Sequence, residues 1–314
     1  MIIYLGEKNN MANLNLRRPQ NVDGDFYVDS SCIDCDTCRW MANEIFHDVE
    51  GQSAVYHQPD ESQRLQALQA LLSCPTNSIG TVEKPQDVKL AQMSIPILVD
   101  ENVYHCGYHA ESSYGAASYL IQLPEGNVLV DSPRFAAPLV KRIAKLGGIR
   151  YMYLTHRDDV ADHKNFAEYF GCVSEAGSHS LLRILHSDDV SASTRDVEVQ
   201  LRSDQPWELT PDLLIIPTPG HSKGHTVLLY KNKYLFSGDH LAWSDKLQRL
   251  VAWRDVCWYS WSEQIKSMRK LAEYDFEWVL PGHGRRYHAD ANTMHEQMIH
   301  CIANMEAELH AWGD

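Results

Sequence analysis

The sequence predicts an α+β protein with two domains, a small cysteine-rich domain followed by a larger layered α/β sandwich. Three observations predict this division. Residues 1–83 hold a compact cysteine motif, a polar linker with a proline follows at 84–94, and over residues 95–314 apolar runs alternate with helical patterns. With 314 residues, of which 44% are hydrophobic, the chain can bury at least one substantial core.

Composition and charge argue against several classes of partner. The formal net charge is -14, so the chain has no general attraction to nucleic acid or to anionic lipid. No apolar stretch approaches the length of a membrane span, and the first apolar run lacks the basic region of a signal peptide. We therefore expect a cytoplasmic protein that acts on a small molecule, with neither nucleic acid nor membrane as partner. In a reducing compartment its cysteines are expected to be ligands or free thiols.

Hydrophobic periodicity predicts the secondary structure of both domains. In the small domain, leucines at helical spacing predict one amphipathic helix: Leu65, Leu68, Leu71 and Leu72. In the larger domain, apolar runs predict buried strands at 119–123, 127–131, 151–156, 212–218, 226–230, 234–239 and 278–283. Helical patterns lie at 134–146, 163–170, 262–273 and 289–312. Several strands end in His or Asp, and we expect a site there because loops gather at strand ends.

The small domain carries a cysteine pattern suited to an iron–sulfur site. Cys32, Cys35 and Cys38 form C-x2-C-x2-C, and Cys74 is followed by proline. A [4Fe-4S] cluster needs four thiolates, three from a tight loop and one from elsewhere in the fold. A four-cysteine zinc site or a redox-active CxxC pair is the alternative, but zinc sites usually pair two CxxC knuckles. Residues 74–80 resemble the ending of bacterial ferredoxins, which implies a ferredoxin-like domain with one [4Fe-4S] cluster.

Four segments of the larger domain carry metal-ligating residue types. They are THRDDVADH (155–163), TPGHSKGH (218–225), FSGDH (236–240) and PGHG (281–284). Each places a His or an Asp just after an apolar strand. A two-metal hydrolytic site needs neutral imidazoles and carboxylates on converging loops, with one bridging oxygen ligand. The segments together therefore predict a site for two divalent metal ions, with iron or zinc as the leading metals and manganese as a third.

These four segments, with VLVDSP before them, resemble the motifs of the metallo-β-lactamase superfamily across nearly all of residues 95–314. The resemblance implies a four-layer αβ/βα sandwich. It also implies a ligand set, in which His156 and His221 bind the first metal, Asp162, His163 and His283 bind the second, and Asp239 bridges the two. Asp162 and Asp239 would be the catalytic residues, with Asp162 orienting the water. Asp131 and His225 would support the ligands through outer hydrogen bonds.

One motif departs from the family pattern. After His156 the sequence reads Arg157, Asp158, Asp159, so the second His of the family is missing. Asp158 has the family spacing from His156, Asp159 is the other candidate ligand, and a weak or empty first site is the remaining alternative. A carboxylate in place of imidazole shifts the preference of the site from zinc toward iron or manganese. The flavodiiron branch of the superfamily also carries a carboxylate in this motif, and its metals are iron.

Other side chains have both a functional and a structural interpretation. The loop at 104–116 carries His105, Cys106 and His109, which either contact substrate, take part in redox chemistry or belong to an ordinary polar loop. The tryptophans after Asp239 either wall a pocket over the metals or pack in the core: Trp243, Trp253, Trp258 and Trp261. His186 is expected to be structural. The cysteines outside the cluster motif are expected to be buried thiols: Cys106, Cys172, Cys257 and Cys301.

Three functions are compatible with this organisation. Hydrolysis leads, because activation of water by two metals is the commonest chemistry on this fold. The close alternative is a non-haem di-iron oxidoreductase that is fed electrons by the cluster and has an electron donor or acceptor protein as partner. The third is a non-enzymatic, redox-responsive binding module with a degenerate metal site. The cluster itself could transfer electrons, sense redox state or only stabilise the small domain.

Protein produced anaerobically is expected to be brown, with the broad visible absorption of a [4Fe-4S] cluster. Cys74→Ser or Cys35→Ser removes one thiolate ligand and should bleach this absorption. Cys301→Ser, at a cysteine without an expected ligand role, should keep it. A colourless wild-type protein with tightly bound zinc in the small domain would overturn the assignment.

Overall fold

The computed structural model describes two stretches of the chain, residues 12–171 and 181–312. Residues 1–11, 172–180 and 313–314 lie outside the described part, and Cys172, expected to be a buried thiol, is among them. Over the described residues, no helix has both the length and the apolar character that crossing a bilayer requires.

The small domain combines two short antiparallel strand pairs with two helices. Strand β1 (Phe26–Val28) pairs with β4 (Ile79–Thr81), and β2 (Phe46–Val49) pairs with β3 (Gln52–Val55). The helices are α1 (Thr37–Met41) and α2 (Arg64–Ser73). Apolar side chains from these elements form one core, to which Cys38 and Cys74 also belong. The cysteine motif is therefore built into the core of this domain.

The leucine-rich helix predicted for the small domain is α2. Leu68 is fully buried in the core, Leu71 and Leu72 are partly buried against it, and Leu65 is 45% exposed. Ala67 completes the buried face, because a small side chain lets the helix lie close to the neighbouring strands. The helical spacing thus located the element, although only some of the leucines face the core.

The predicted linker at 84–94 is helical over most of its length, as α3 (Val88–Ser94). Ala91 of this helix is fully buried in the core of the small domain. Ser94 accepts a hydrogen bond from Gln69 Nε2 of α2 at 2.9 Å. A short helix with one buried position carries too little apolar periodicity to stand out from a polar segment. Most of the predicted linker is thus a helix that packs on the small domain, and the predicted domain boundaries stay a prediction.

The larger domain is built on two sheets. In the described part of the chain, the first sheet contains β5 (Ile97–Asp100), β6 (Val103–His105), β7 (Tyr119–Ile121), β8 (Val128–Val130), β9 (Tyr151–Tyr153), β10 (Leu182–His186) and β11 (Val199–Leu201), in reverse order across the sheet. The second contains, in order, β12 (Trp207–Thr210), β13 (Leu213–Pro217), β14 (Thr226–Tyr230), β15 (Tyr234–Gly238), β18 (Trp278–Pro281) and β19 (Tyr287–His288). A hairpin of β16 (Ala242–Ser244) and β17 (Arg249–Val251) lies between β15 and β18 along the chain.

Helices cover the outer face of each sheet. Helices α4 (Ala137–Lys145) and α5 (His163–Gly171) pack on the first sheet, and α6 (Trp261–Leu271) and α7 (Ala291–Trp312) pack on the second. Between the sheets, buried residues from both of them, such as Tyr153 and Phe236, form a shared core. The layers therefore run helix, sheet, sheet, helix, and the predicted four-layer αβ/βα sandwich is confirmed.

Strand register brings the motif loops to common edges. Strands β8 and β9 are parallel, with Val130 opposite Tyr153, so the segments that follow them leave the sheet at the same edge. In the second sheet β15 and β18 are parallel, with Gly238 opposite Pro281. Parallel strands deliver their following loops side by side. Pairing thus gathers the segments after β8 and β9 at one edge of the first sheet and those after β15 and β18 at one edge of the second. Packing of the two sheets around their shared core brings these edges together.

Candidate metal centre and cluster site

The four cysteines of the small domain line one cavity. Cys32 and Cys35 lie on the loop before α1, Cys38 lies within α1, and Cys74 follows the last residue of α2. Asp34 and Asp36, between these cysteines, adopt left-handed backbone conformations with φ near 62° and 63°. These two left-handed residues bend the loop tightly, so that the thiols of Cys32, Cys35 and Cys38 face the same cavity. The rest of the lining is partly apolar and partly made of hydroxyl-bearing residues: Val28, Ile33, Pro75, Ile79, Thr37, Ser53, Thr76 and Ser78.

The surroundings of these sulfur atoms fit a cluster. The backbone N–H of Ser78 donates to Cys74 Sγ at 3.2 Å. Hydroxyl groups lie close to two others, Ser53 Oγ at 3.2 Å from Cys38 and Thr37 Oγ1 at 3.4 Å from Cys35. Burial raises the pKa of the Cys35 thiol to about 11. Such buried thiols become thiolates only when a metal offsets the charge, and polar neighbours at sulfur tune an iron–sulfur cluster.

Side chains from four loops converge at the edge of the larger domain. His156, Asp158 and Asp159 follow β9, His221 follows β13, Asp239 follows β15 and His283 follows β18. Two overlapping groups of these residues have possible ligand atoms within 4.8 Å of one another: His156, Asp158 and His221, and His156, Asp159 and Asp239. The sequence-predicted residues that the structure brings together are therefore these six, His283 through its contact with Asp239.

Asp239 is central to the distances in this group. Its Oδ2 lies 3.6 Å from His156 Nε2 and 3.8 Å from His221 Nε2. Its two carboxylate oxygens lie 2.8 and 2.9 Å from His283 Nδ1. Asp158 Oδ2 lies 3.9 Å from both His156 Nε2 and His221 Nε2. Asp239 thus faces both halves of the group, whereas Asp158 faces only the His156 half.

Unpartnered buried atoms mark this group as a metal site. His156 Nε2, His221 Nε2 and both carboxylate oxygens of Asp159 are buried and lack a hydrogen-bond partner among the described residues. Leaving a buried polar atom unpaired costs about 1–3 kcal/mol, so several in one place indicate a missing ligand. Imidazole nitrogens and carboxylate oxygens are the donors that zinc, iron and manganese accept. The donor set therefore fits divalent metal ions.

Electrostatics in the metal-free group follow from burial and from neighbours. Burial would raise the pKa of Asp239, but the His283, His156 and His221 rings hold it below its ordinary range. Burial would lower the pKa of His283, but Asp239 raises it to about 10. Burial, and then the Asp239 charge, raise the pKa of Asp159 well above its ordinary value. A metal cation would relieve the repulsion between these two carboxylates.

Hydrogen bonds orient the imidazoles of the group. The Thr155 hydroxyl donates to Asp131 at 3.0 Å, so its oxygen is free to accept from His156 Nδ1, also at 3.0 Å. That tautomer leaves His156 Nε2 with its lone pair facing the other ligands. His225 Nε2 accepts from the backbone N–H of Asp239 at 3.3 Å, and His225 Nδ1 therefore donates to Thr218 Oγ1 at 2.9 Å.

The structure does not bring Asp162 and His163 into the group. Asp162 Oδ2 accepts from the backbone N–H of Phe135 at 2.7 Å. His163 is the first residue of α5, and its Nδ1 lies 3.1 Å from the Arg183 guanidinium. A cation at that distance disfavours a metal ion at the same ring. This arrangement gives no support to the expectation that these residues bind the second metal, because the chain leaves the centre after Asp159 and enters α5 at His163.

Asp189 is a structural residue of the site that sequence reasoning missed. Its buried carboxylate accepts from Ser222 Oγ at 2.5 Å, Gly224 N at 2.8 Å and Arg157 N at 3.0 Å. It therefore ties the loop that carries His156 to the loop that carries His221. The available signal was an acidic residue soon after the end of β10. His186, expected to be structural, is buried and accepts from the backbone N–H of Asp188 at 3.3 Å.

The loop at 104–116 belongs to the contact between the domains. His105 and His109 are fully buried, with their Nε2 atoms 2.8 Å apart, and both rings lie against Trp40 of the small domain. They are therefore not exposed for substrate to reach directly. Cys106 is buried. Because these side chains are buried, the segment is not an ordinary exposed polar loop, which was the structural alternative.

The four tryptophans do not form one wall. Trp261 is buried in the core, and Trp243 stacks on Tyr287 with ring centroids 3.9 Å apart. Trp253 and Trp258 are exposed, and the backbone N–H of Trp258 donates to His221 O at 2.9 Å. Among the remaining thiols of the described residues, Cys301 is buried as expected, whereas Cys257 is only half-buried.

Comparison with known proteins agrees with both resemblances. The family model described as 4Fe-4S single cluster domain of Ferredoxin I matches residues 28–81. The DIM-1 metallo-β-lactamase is 18% identical, with a TM-score of 0.52, over 67% of this chain and 96% of that chain. VMB-1 is 18% identical, with a TM-score of 0.49, and the match covers 67% of this chain and 95% of VMB-1. An archaeal metallo-β-lactamase superfamily protein from Sulfolobus tokodaii is 15% identical, with a TM-score of 0.42, and the match covers 65% of this chain and 86% of that protein.

Residues 28–81 therefore match a single-cluster 4Fe-4S ferredoxin domain, and the larger domain has the fold of the DIM-1 metallo-β-lactamase. Both predictions made from the motifs are confirmed at that level. The ferredoxin match implies an iron–sulfur cluster, and the converging His and Asp side chains imply divalent metals.

Metal binding to the metal-free protein is expected to release protons near neutral pH. The pKa of His283 is raised to about 10, so a metal must displace a proton from this ring, and affinity should rise as the pH increases toward that value. Calorimetric titration with zinc in buffers of different ionisation enthalpy measures the release. His283→Gln should lose about one released proton per chain. Equal release by the two proteins would contradict this assignment of the pKa.

Asp239→Ala is expected to weaken the binding of both metal ions, because this carboxylate faces both His156 and His283. The loss should exceed the roughly 10–100-fold that removal of an outer hydrogen-bond partner costs. Asp162→Ala is the matched control, since its carboxylate is bonded to Phe135 instead. Each variant is dialysed against chelators of increasing affinity, and the metal content that remains is compared between the two. Full metal content in Asp239→Ala, or equal loss in Asp162→Ala, would contradict the arrangement.

Proposed function

We propose that this protein is a redox metalloenzyme in which the cluster of the small domain supplies single electrons to a carboxylate-rich, iron-binding centre in the larger domain. One observation carries the proposal. The side chains of Asp158 and Asp159, which replace the missing His of the motif, both reach the metal-site group together with Asp239. The expected donor set is therefore three carboxylates and three imidazoles.

Charge explains why this donor set favours redox chemistry. Three carboxylates offset most of the charge of two divalent ions. The metals are then weaker Lewis acids toward a bound water than they would be with an additional imidazole in place of Asp158. The same carboxylates stabilise the ferric state relative to the ferrous state. A centre that cycles between these states needs such ligands, and hard oxygen donors favour iron over zinc.

The six candidate ligands would be shared between two metal ions. His156, Asp158 and His221 would hold one ion, Asp159 and His283 the other, and Asp239 would bridge the pair. Bound iron supplies one-electron chemistry at this centre. Asp158, whose side chain is 51% exposed, stands on the solvent side and leaves an approach for a small-molecule substrate. Buried His156 and Asp159 keep water away from the opposite side.

Hydrolysis, the leading expectation from the fold, is the second candidate. The position of Asp239 between the His156 half and the His283 half favours it, because a bridging carboxylate is also what a water-activating metal pair requires. Hydrolysis gives the cluster no role beyond sensing or stability, however. The non-enzymatic alternative lacks support, since it assumed a degenerate metal site.

Metal identity separates the two candidates. Protein purified anaerobically from iron-replete cells is expected to contain more iron than one cluster accounts for, with little zinc. Asp158→His restores the imidazole of the family motif and should shift the bound metal toward zinc. Asp212→His, at an exposed turn, is the control and should change nothing. Elemental analysis gives both results. About two zinc ions per chain in the wild-type protein would favour hydrolysis instead.

A further inference from the structure

One loop of the larger domain contacts both the cluster motif and the metal centre. It connects β6 to β7, and its central residues Ser113, Tyr114 and Gly115 are called the bridging segment here. The backbone of Gly115 lies against Cys35, so closely that a Cβ added to Gly115 would stand 2.8 Å from Cys35 Cβ and 3.0 Å from Cys35 Sγ. Only a residue without a side chain permits this contact.

Further contacts fix the cluster end of the bridging segment. The Thr37 hydroxyl lies 3.4 Å from Cys35 Sγ and also 3.4 Å from the carbonyl oxygen of Gly115. The Tyr114 hydroxyl donates to the carbonyl oxygen of Ile33, between the first two cluster cysteines, at 2.5 Å. The segment is therefore bonded to the cysteine loop as well as packed against it.

The other end of the bridging segment is bonded to the metal centre. His283 Nε2 donates to the carbonyl oxygen of Ser113 at 3.1 Å, because a carbonyl can only accept. The other ring nitrogen, His283 Nδ1, lies 2.8 Å from Asp239 Oδ1. The Ser113 hydroxyl donates to the carbonyl oxygen of Asp158 at 3.0 Å. Three consecutive residues thus join a cluster cysteine to two residues of the metal centre.

We propose that the bridging segment is the route by which electrons pass between the cluster and the metal centre, an inference that rests on the proposed function. The route runs from Cys35 to Gly115, along the peptide to Ser113, and across one hydrogen bond to His283. Electronic coupling decays less steeply through bonds and short hydrogen bonds than across open space. With both groups bound, the reduced cluster would give up one electron and a ferric ion held at the centre would accept it, becoming ferrous with no bond made or broken. A one-electron donor re-reduces the cluster.

Two glycine variants test the route. Gly115→Ala forces the segment away from Cys35, since its methyl group would collide with that side chain. Gly51→Ala is the matched control: Gly51 also has a positive φ, of 73°, but has nothing within 4 Å of an added Cβ. Both variants therefore carry backbone strain, and only one disturbs the contact. Tyr114→Phe, which removes the bond to Ile33 and keeps the ring, is a milder third variant should Gly115→Ala lose its cluster.

The measurement follows the cluster and does not depend on turnover. A photoexcited deazaflavin delivers one electron to the cluster of the ferric, iron-loaded holoprotein, and visible absorption then follows reoxidation of the cluster. We expect reoxidation at a rate independent of protein concentration in the wild-type and Gly51→Ala proteins. The rate should be several-fold slower in Gly115→Ala and slower to a smaller extent in Tyr114→Phe. Zinc-loaded protein, which cannot accept the electron, should show no such phase.

The outcomes separate this inference from the function on which it rests. Wild-type protein without an iron-dependent phase would overturn the proposed electron supply and the route together. An iron-dependent phase that is as fast in Gly115→Ala and Tyr114→Phe as in wild type would overturn the route alone. Equal slowing in Gly51→Ala and Gly115→Ala would also overturn it, because strain and not the Cys35 contact would then be responsible.

Discussion

The metal centre depends on the largely buried carboxylate of Asp239, whose side chain is 12% exposed. Imidazoles from three separate loops lie around it, His156 and His221 within 4 Å and His283 in direct hydrogen-bond contact. Buried ionisable groups are tolerated only when they are paired, hydrogen-bonded or bound to a metal. The Asp159 carboxyl is buried beside Asp239 and has no hydrogen-bond partner among the described residues, so burial and the Asp239 charge raise its pKa, and a metal cation would stabilise its charged form. The local fold therefore favours metal occupancy.

The surrounding fold keeps these groups in position. Asp131 and Thr155 set the tautomer of His156, and Asp189 ties its loop to the loop of His221. Each support is a short hydrogen bond from residues just beyond a strand end. Because the strands themselves are fixed by pairing and by the core between the sheets, small displacements of the ligands are resisted.

The small domain is held firmly against the larger one at several points. Arg285 bonds to Asp36 with Nε at 3.0 Å, and the Arg286 guanidinium lies 4.3 Å from the Trp40 ring centroid. His109 is buried beside Thr37. These partly buried charged and aromatic groups, together with buried His109, form a contact between the two domains. The cluster motif and the metal centre are therefore neighbours within one framework, and both proposals build on that proximity.

The sequence by itself determined the cluster cysteines, the sandwich and the four metal-binding segments, because these depend on local spacing and on hydrophobic period. Tertiary structure alone decided which residues of 155–163 reach the centre. The family resemblance implied Asp162 and His163, although this pair comes two residues later than in the family motif. In the structure α5 begins at His163, and Asp159 lies in the centre instead. The tertiary structure also decided that Gly115 contacts Cys35. Contacts between residues far apart in sequence arise only when the domains pack, and no local pattern records them.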